Sequence, residues 1–412
     1  PRALQVPKVM RILLHDNSGH PFPLQLARFL SHQGAEVLHL YSAGFLTPRG
    51  GIERKPDDPA TMEIRGLDLG EPFRKYDYFR RRLQERRYSK LLGNEIRLFR
   101  PDAIIMCNTP IDVQLPAQRI ARSLDIPYLF WVQDIYSVAM EGILRRKMGL
   151  VGVIISRYYA RQEKKLLRNS AHVVAISPGF LPILQSWGVA KENCTVIPNW
   201  APLEEIPLRP KHNSWSERQG LADKFCFVYS GTLGLKHNPN LLLELALQLR
   251  ERPDVVVVVN SEGVGADWLK ERINHHRLDN LRILGFQPYE ELPEVLGAAD
   301  VCVALLEPDA GVYSVPSKIL AYLCAGRPLL LAVPPENLAA RIVRENEAGI
   351  VVNPDSEEAF IEGALNLLND PQIRENYGKN ARAYAEDTFD IDKIGTAFQQ
   401  IISKIAAPSN HP

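Results

Sequence analysis

A chain of 412 residues is longer than a single hydrophobic core usually supports, so its length predicts two domains. Its composition, 45% hydrophobic and 24% charged, is typical of a soluble globular protein, and no apolar run approaches the ~18 residues of a membrane-spanning helix. A net charge of +1 gives no reason to expect nucleic acid as a partner. Five scattered cysteines without metal-ligand or redox spacing favour a reducing cytoplasm, and no secretory signal is visible.

The first half of the chain alternates short apolar strands with helices. Residues 1–9 precede Met10 without any pattern, and we expect them to lie ahead of the native start. Continuous apolar runs suit parallel strands that are covered on both faces, so we predict a doubly wound α/β domain over residues 10–204. The runs lie at 11–16, 35–42, 102–108, 128–134 and 172–178.

The alternation pauses and then restarts. Residues 205–224 are rich in Pro and polar residues and are predicted to be a linker. A second Rossmann-like domain is predicted over 225–387, and a helix at 388–406 is expected to cross back onto the first domain. The predicted strands of the second domain lie at 225–231, 254–260, 281–285, 300–306, 328–333 and 349–353.

Positive charge is concentrated in the first half. Residues 74–92 and 141–168 each hold eight Lys or Arg against two acids, and since the chain totals +1, the remainder carries −11. In the first stretch the arginines alternate with Tyr, Phe and Leu, which favours an anionic membrane surface or a polyprenyl diphosphate. A solvated helix face would give the same pattern, whereas nucleic acid fits the acidic remainder poorly.

Two strand–loop–helix units in the second half suit an anion. In "YSGTLGLKHNP", Gly231 and Gly234 allow close backbone approach, and Lys236 stands just ahead of a helix. In "GVYSVPSKILAYLC", a Ser-x-Pro-Ser-Lys cluster begins a helix, whose free N–H groups attract negative charge. A loop with a solvated lysine and a capped core helix are the plainer alternatives. Together the two units suggest a diphosphate site.

These motifs occur in a familiar order. "YSGTLGLKHNPNLL", "NLRILGFQPYEELPEVLGAADVCVALLE" and "PSKILAYLCAGRPLLLA", with "WVQDIYS", Glu163 and "HVVAISPGF" in the first half, resemble the retaining glycosyltransferases of the large glycosyl transferases group 1 family, of the bacterial polysaccharide-assembly type. The resemblance covers nearly the whole chain from Met10. It implies the GT-B fold, in which two Rossmann-like doubly wound domains face each other across a cleft.

The resemblance also implies site residues. It places Lys236 against the donor diphosphate as a catalytic group, and Asp134 as a candidate for orienting the acceptor hydroxyl, although a structural strand-end carboxylate is the alternative. Asp16, Asn17 and His20, close to His15 in the first loop, become contacts to the acceptor or the donor sugar. The implied donor-binding residues are Gly19, Gly231, Thr232, Lys236, Phe286, Gln287, Tyr313, Ser314, Val315, Pro316, Ser317 and Lys318.

The chain departs from the family pattern at three positions. Many members carry two glutamates where this sequence has Tyr313 and Ala321, and an Arg where it has Thr232. The missing glutamate is the one usually credited with gripping the ribose. Members that act on lipid-linked sugars often have this Pro-Ser-Lys form, so the resemblance favours that subgroup.

No cofactor or metal is expected, because cationic and backbone groups would stabilise the leaving diphosphate. The single Asp-x-Asp, Asp390 to Asp392, lies in the C-terminal helical region, where a helix cap or a solvated face explains it.

The sequence thus predicts a cytoplasmic enzyme, peripheral on the inner face of the membrane. It is expected to transfer a hexose with retention from a nucleotide sugar, UDP-glucose being the favoured donor by resemblance. The acceptor is expected to be a saccharide or a polyprenyl-diphosphate-linked saccharide in polysaccharide or glycolipid assembly. The alternatives are a catalytically inactive nucleotide-sugar-binding subunit and a nucleotide-sugar epimerase.

Overall fold

In a computed structural model of the chain, the structure is described for residues 9–44, 51–71, 73, 78–234, 237–306, 308 and 317–407. These described residues divide into two compact units. The first comprises those up to Pro198 together with those from Ile391 onward, and the second comprises those of Asn199–Asp390.

The first unit is built on a seven-stranded parallel sheet of order β3-β2-β1-β4-β5-β6-β7. Its strands are β1 (Arg11–Asp16), β2 (Glu36–Ser42), β3 (Met62–Leu67), β4 (Ala103–Cys107), β5 (Tyr128–Val132), β6 (His172–Ala175) and β7 (Cys194–Val196). Its helices are α1 (Pro21–His32), α2 (Tyr78–Phe99), α3 (Ile111–Ser123), α4 (Tyr136–Arg168), α5 (Leu181–Ser186) and, from the end of the chain, α14 (Ile391–Ala406).

The second unit is built on a six-stranded parallel sheet of order β10-β9-β8-β11-β12-β13. Its strands are β8 (Phe225–Ser230), β9 (Val255–Asn260), β10 (Leu281–Leu284), β11 (Val301–Leu305), β12 (Leu329–Ala332) and β13 (Gly349–Val352). Its helices are α6 (Ser214–Arg218), α7 (Asn240–Gln248), α8 (Val264–His276), α9 (Leu292–Gly297), α10 (Lys318–Cys324), α11 (Leu338–Glu345), α12 (Glu357–Asn369) and α13 (Pro371–Thr388). Two parallel α/β sheets covered by helices are the architecture that the sequence predicts.

Strand register brings together the loops of the first unit that carry predicted site residues. Asp16 at the end of β1 pairs with Cys107 at the end of β4, and Cys107 pairs with Trp131 near the end of β5. Because parallel strands end at the same edge of a sheet, the loops after these three strands are neighbours. The second unit repeats the arrangement, since Ser230 of β8 pairs with Asn260 of β9, which pairs with Leu284 of β10.

The segment predicted as a linker, 205–224, is instead part of the second unit. It contains α6, whose first turn is closed by a capping box between Asn213 and Ser216. Trp215 on this helix is fully buried, and its indole N–H donates to Gln287 at 2.9 Å. The Pro-rich and polar composition of residues 205–224 therefore reflects an irregular but packed segment.

Helix α14 packs on the first unit. Gly395 approaches α1 so closely that an added Cβ would lie 2.2 Å from a ring carbon of Phe29. Phe398 stacks on Trp131 of β5 with ring centroids 4.7 Å apart. The helix thus covers the apolar face that α1 and β5 expose.

Candidate functional site

The tightest turn of the second unit follows β8. Gly231 has a φ of 128°, a conformation that residues with a Cβ rarely adopt, and its N–H donates to the Asn260 carbonyl at 3.0 Å. A Cβ at this position would lie 3.2 Å from Cε of Lys318. Glycine is required here both by the backbone angle and by the lysine that lies over the turn.

Lys318 is the first residue of α10 and holds its charge against this turn. Its Nζ donates to the Thr232 carbonyl at 3.2 Å and to the Tyr229 hydroxyl, and it lies 3.8 Å from the centroid of the Tyr229 ring. Burial raises the pKa of Tyr229, so its phenol stays neutral and donates to the Thr232 carbonyl at 2.8 Å. The result is a fixed cation at the carboxyl end of β8.

Tyr322, one helical turn beyond Lys318, fixes the other side of the turn. Its hydroxyl accepts the Ser230 N–H at 2.9 Å and donates to the Ser230 carbonyl at 3.0 Å. The intervening residues Ile319 and Leu320 are buried, which anchors α10 against the sheet. Ser317 and Lys318 are predicted from the sequence, whereas Tyr229 and Tyr322 are not, because a tyrosine in an apolar strand or helix looks like an ordinary core residue.

The loop that carries the predicted donor-binding residues Phe286 and Gln287 follows β10, two strands from β8. Gln287 accepts from Trp215 and donates to the Gly285 carbonyl, each at 2.9 Å, so its side chain supports the loop. The Phe286 N–H lies 3.4 Å from a carboxylate oxygen of Glu262. Asn260, between the two loops, is 1% exposed, and neither polar atom of its side chain has a hydrogen-bond partner among the described residues.

In the first unit, Asp16 organises the loop after β1. It is fully buried and accepts the backbone N–H of His20, while Nδ1 of His20 lies 3.3 Å from the carboxylate. Gly19, with a φ of 70°, closes the turn by donating its N–H to the Asp16 carbonyl at 3.2 Å. Asn17 is buried, and its carbonyl accepts the Ser42 N–H at 3.3 Å.

Asp16 and His20 form an ion pair. Burial by itself would raise the pKa of Asp16, but the His20 charge and hydrogen bonds outweigh it, and the pKa falls below its ordinary value. Burial likewise disfavours charged His20, yet Asp16 and Asp134 together raise its pKa. Asp134, from the loop after β5, is thus close enough to act on His20, and the structure brings these three predicted residues to one sheet edge.

Asn108, at the end of β4, completes this group. Its amide nitrogen lies 3.1 Å from the Ser18 hydroxyl and 3.0 Å from Nδ1 of His20. Nδ1 can therefore accept from Asn108 when the ring is neutral or donate to Asp16 when it is charged. Asn108 has a φ of 48°, a strained angle that Asn tolerates. Its place in this group is not predicted from the sequence.

His15 has a structural role. The Thr109 hydroxyl donates to the Cys107 carbonyl at 2.7 Å, so it accepts from Nδ1 of His15, also at 2.7 Å. Nε2 must then accept from the Tyr88 hydroxyl at 2.9 Å. Burial lowers the pKa of His15 to about 3, which keeps this tautomer neutral.

Glu163 supports the loop that carries Asp134. Its carboxylate accepts the N–H groups of Tyr136 and Ser137, each at 2.9 Å, at the start of α4. Burial raises the pKa of Glu163, since only 1% of the residue is exposed. The sequence showed Glu163 in family order but gave no sign of this capping role.

Two family descriptions match the chain. "Glycosyltransferase Family 4" matches residues 21–205, and "Glycosyl transferases group 1" matches residues 212–384. The chain belongs to the glycosyl transferases group 1 family. The family assignment made from the ordered motifs is confirmed, and the protein is a glycosyltransferase.

Relatives and solved structures agree with this assignment. The glycosyltransferase is 26% identical over 308 residues to Escherichia coli (strain K12) WcaI, a glycosyl transferase assigned to colanic acid biosynthesis, covering 72% of this chain and 73% of WcaI. It is 26% identical to a Campylobacter jejuni N-acetylgalactosamine-N,N'-diacetylbacillosaminyl-diphospho-undecaprenol 4-alpha-N-acetylgalactosaminyltransferase, covering 52% of this chain and 54% of that one. Anabaena HepE, solved in complex with UDP-glucose, superposes with a TM-score of 0.69 at 16% identity, over 97% of this chain and 100% of HepE. These matches confirm the GT-B fold.

Several predicted residues of this glycosyltransferase lie outside the described residues. They are Lys236, Tyr313, Ser314, Val315 and Pro316, and their roles stay predictions. Across the described part of the chain, no group of three or more His, Cys, Asp or Glu side chains is placed to hold a metal ion. No helix there is long and apolar enough to cross a membrane.

Proposed function

We propose that this glycosyltransferase moves a hexose from a UDP-hexose, with UDP-glucose as the favoured donor, to a saccharide or lipid-linked saccharide. We propose that the reaction retains anomeric configuration, needs no metal, and serves polysaccharide or glycolipid assembly. The donor proposal is supported by the HepE complex with UDP-glucose, and the acceptor proposal by the names of WcaI and the Campylobacter jejuni enzyme.

The observation that carries the proposal is the turn after β8. Departure of a nucleoside diphosphate develops negative charge on the β-phosphate, and preorganised donors stabilise that charge. Gly231 in this turn has a backbone angle that residues with a Cβ rarely adopt, and Lys318 and Tyr322 hold the turn in place. We propose that the phosphates bind here, with Lys236 and the backbone N–H groups of residues 314–318 as further donors.

For the sugar and acceptor we propose the first-unit group of Asp16, His20 and Asp134. The positive charge that the two carboxylates favour on His20 suits contact with a polar or anionic part of the substrates. Asp134 is proposed to orient the acceptor hydroxyl. Asp16, being fully buried, positions His20 rather than touching substrate.

We also propose that the enzyme is cytoplasmic and binds the inner membrane surface through α2. Arg80, Arg82, Arg86 and Arg87 on this helix are exposed. Arg81 differs, because its Nε donates to the buried carboxylate of Glu85 at 2.7 Å. The four exposed arginines therefore carry the proposed attraction, and residues 74–77 of the basic stretch lie outside the described residues.

The test of the donor site is Lys236→Ala. Loss of a donor that stabilises leaving-group charge should lower turnover on the order of a hundredfold. Turnover is measured as UDP release from a panel of UDP-sugars, with and without membrane extract. The matched control is Lys270→Ala, which changes an exposed lysine paired with Asp267.

Near-normal turnover in Lys236→Ala would refute the phosphate assignment. Binding of UDP-glucose without release of UDP under any acceptor would favour the inactive binding subunit, and conversion of the donor to its epimer would favour the epimerase. A thermal shift with each nucleotide sugar reports binding independently of turnover.

A further inference from the structure

Exposed apolar side chains are concentrated on one helix of the first unit. Of the eleven large apolar side chains that are exposed in the described structure, five lie between residues 148 and 158 of α4. Their exposed fractions are Met148 42%, Leu150 83%, Val151 56%, Ile154 68% and Tyr158 43%. Single exposed apolar residues need no explanation, but a cluster on one helix does.

The cluster begins at a sharp change in the helix direction. Gly149 has φ 54° and ψ −129°, angles outside the helical region, so α4 bends there. Gly152 packs so tightly after the bend that an added Cβ would lie 2.0 Å from the Leu144 carbonyl oxygen. Met148, Leu150 and Val151 consequently stand at a corner, where the close glycine contact holds them in place.

The spacing places these side chains on one face of the helix. Leu150, Ile154 and Tyr158 follow each other at intervals of four, and side chains at this spacing share a face. The same face continues toward the end of the helix with Arg157, Arg161, Lys165 and Arg168, all exposed. We name these nine residues, 148, 150, 151, 154, 157, 158, 161, 165 and 168, the α4 stripe.

All charged side chains of the α4 stripe are basic. Glu163, the acid of α4 whose side chain the structure describes, is buried and turned to the helix start. The stripe also meets the cationic face of α2, since the Arg82 guanidinium lies 6.0 Å from the centroid of the Tyr158 ring. Asp112 of α3 joins the two helices by accepting from the Tyr159 hydroxyl at 2.5 Å, with Nε of Arg82 3.8 Å away.

We propose that the α4 stripe docks on an anionic lipid bilayer, with its apolar corner inserted at the interface and its basic end on the headgroups. An apolar segment followed along one helix face by basic residues matches the layered chemistry of a membrane surface, where acyl chains lie below anionic headgroups. A second copy of this chain fits less well, because a twofold contact would press the same basic residues against themselves. Nucleic acid offers nothing to the apolar corner.

The proposed docking surface extends the proposed membrane association of the enzyme. It rests on that proposed function, because a lipid-linked acceptor is the reason for the enzyme to bind a bilayer. It adds a second mode of attachment. The arginines of α2 attract through charge alone, which salt screens, whereas insertion of the corner removes apolar surface from water and persists in salt.

The experiment is sedimentation of the full chain with vesicles of phosphatidylglycerol and phosphatidylcholine, at low and high salt. Leu150→Gln with Ile154→Gln should lower the partition coefficient by about tenfold or more at both salt concentrations, because two deeply placed apolar side chains are lost. Arg157→Gln with Arg161→Gln and Lys165→Gln should lower it at low salt and much less at high salt.

The second unit supplies matched controls. Leu208→Gln with Val264→Gln changes two apolar side chains of similar exposure, 55% and 56%, and should leave vesicle binding unchanged. Arg250→Gln with Lys270→Gln and Arg272→Gln removes three exposed charges and should reduce binding far less than the stripe variant. Circular dichroism of each variant shows that the fold is retained.

Vesicle binding that is unaffected by both stripe variants, or affected equally by the controls, would overturn the proposal. So would a concentration-dependent dimer that Leu150→Gln with Ile154→Gln abolishes while vesicle binding stays normal, since the stripe would then be a contact between copies. UDP-glucose binding, measured by thermal shift without vesicles, is scored separately. If the unmodified chain does not bind UDP-glucose, the proposed donor is wrong. The vesicle result would still test the α4 stripe independently.

Discussion

His39 is expected to make the first unit sensitive to acid. It lies in the middle of β2, paired with Leu14 on one side and Ile64 on the other, and is fully buried. Neither ring nitrogen has a hydrogen-bond partner among the described residues. Burial, reinforced by the charge of Arg28 and opposed by that of Asp16, lowers its pKa from 6.5 to about 4. The folded state therefore holds His39 neutral.

The sign of the effect follows from proton binding. Between about pH 6.5 and pH 4 the unfolded chain binds a proton at His39 that the folded chain does not, so stability falls as the pH falls. Each pH unit in this window costs about 1.4 kcal/mol, so the change from pH 7.5 to pH 5 costs about 2 kcal/mol from His39 alone. His15, whose pKa is lowered to about 3, adds a loss of the same sign.

His39→Leu should remove this part of the acid sensitivity. Leucine matches its strand neighbours Leu38 and Leu40 and leaves no unpaired polar atom, so the variant should be as stable as the unmodified chain or more so at pH 7.5. Its loss of stability between pH 7.5 and pH 5 should be smaller by about 2 kcal/mol, because the His15 contribution is common to both proteins.

Urea unfolding at both pH values measures this difference. Hydrogen–deuterium exchange of peptides from β1 and β2 reports the first unit separately from the second. His275→Gln, which changes an exposed histidine at the end of α8, is the control and should keep the original pH dependence. If His39→Leu loses as much stability on acidification as the unmodified chain, the assignment of the acid sensitivity to buried His39 is wrong.

Three further outcomes are expected. Tyr322→Phe should lower the free energy of unfolding in urea by about 2 kcal/mol and weaken UDP-sugar binding in a thermal shift. The reason is that Ser230 loses both of its hydrogen bonds to the hydroxyl. Unchanged UDP-sugar binding would show that this turn is not part of the donor site. Transfer activity should survive excess chelator, and a requirement for Mg²⁺ or Mn²⁺ would contradict the proposed stabilisation of the leaving diphosphate by cationic side chains and N–H groups. Replacing the four exposed arginines of residues 80–87 by Gln should weaken binding to anionic vesicles at low salt by about a thousandfold, since four charges at ~1 kcal/mol each contribute ~4 kcal/mol. Vesicle binding that changes neither with salt nor with these substitutions would show that α2 is only a solvated face.

The two strands that the apolar pattern does not reveal, β3 and β7, both lie at an edge of the sheet. Strand β3, "MEIRGL", carries Glu63 and Arg65 and lies at the sheet edge with its middle residues partly exposed, so it lacks the continuous apolar run of a central strand. Strand β7 at the opposite edge is three residues long. Edge strands need apolar residues less than central ones, which is why the apolar pattern does not reveal them.

Charge patterns along the sequence were equally incomplete. All five arginines of residues 80–87 look alike in the sequence, but Arg81 neutralises buried Glu85 while the other four face solvent. The basic content of 141–168 was visible, whereas its apolar stripe was not, because the same residues would suit a core helix. Which face of a helix is covered depends on its neighbours in space.

The sequence by itself determined the alternating strands and helices, the two-unit α/β architecture and the family, and it predicts the loops in which a ligand site should lie. These follow from local periodicity and from glycines whose backbone role is set by their own turn. Only the tertiary structure decided which side chains meet. Lys318 and Tyr229 are 89 residues apart in the chain, and His15 and Thr109 are 94 apart. Contacts over such separations arise from the register of neighbouring strands and the packing of helices on them, which no local pattern encodes.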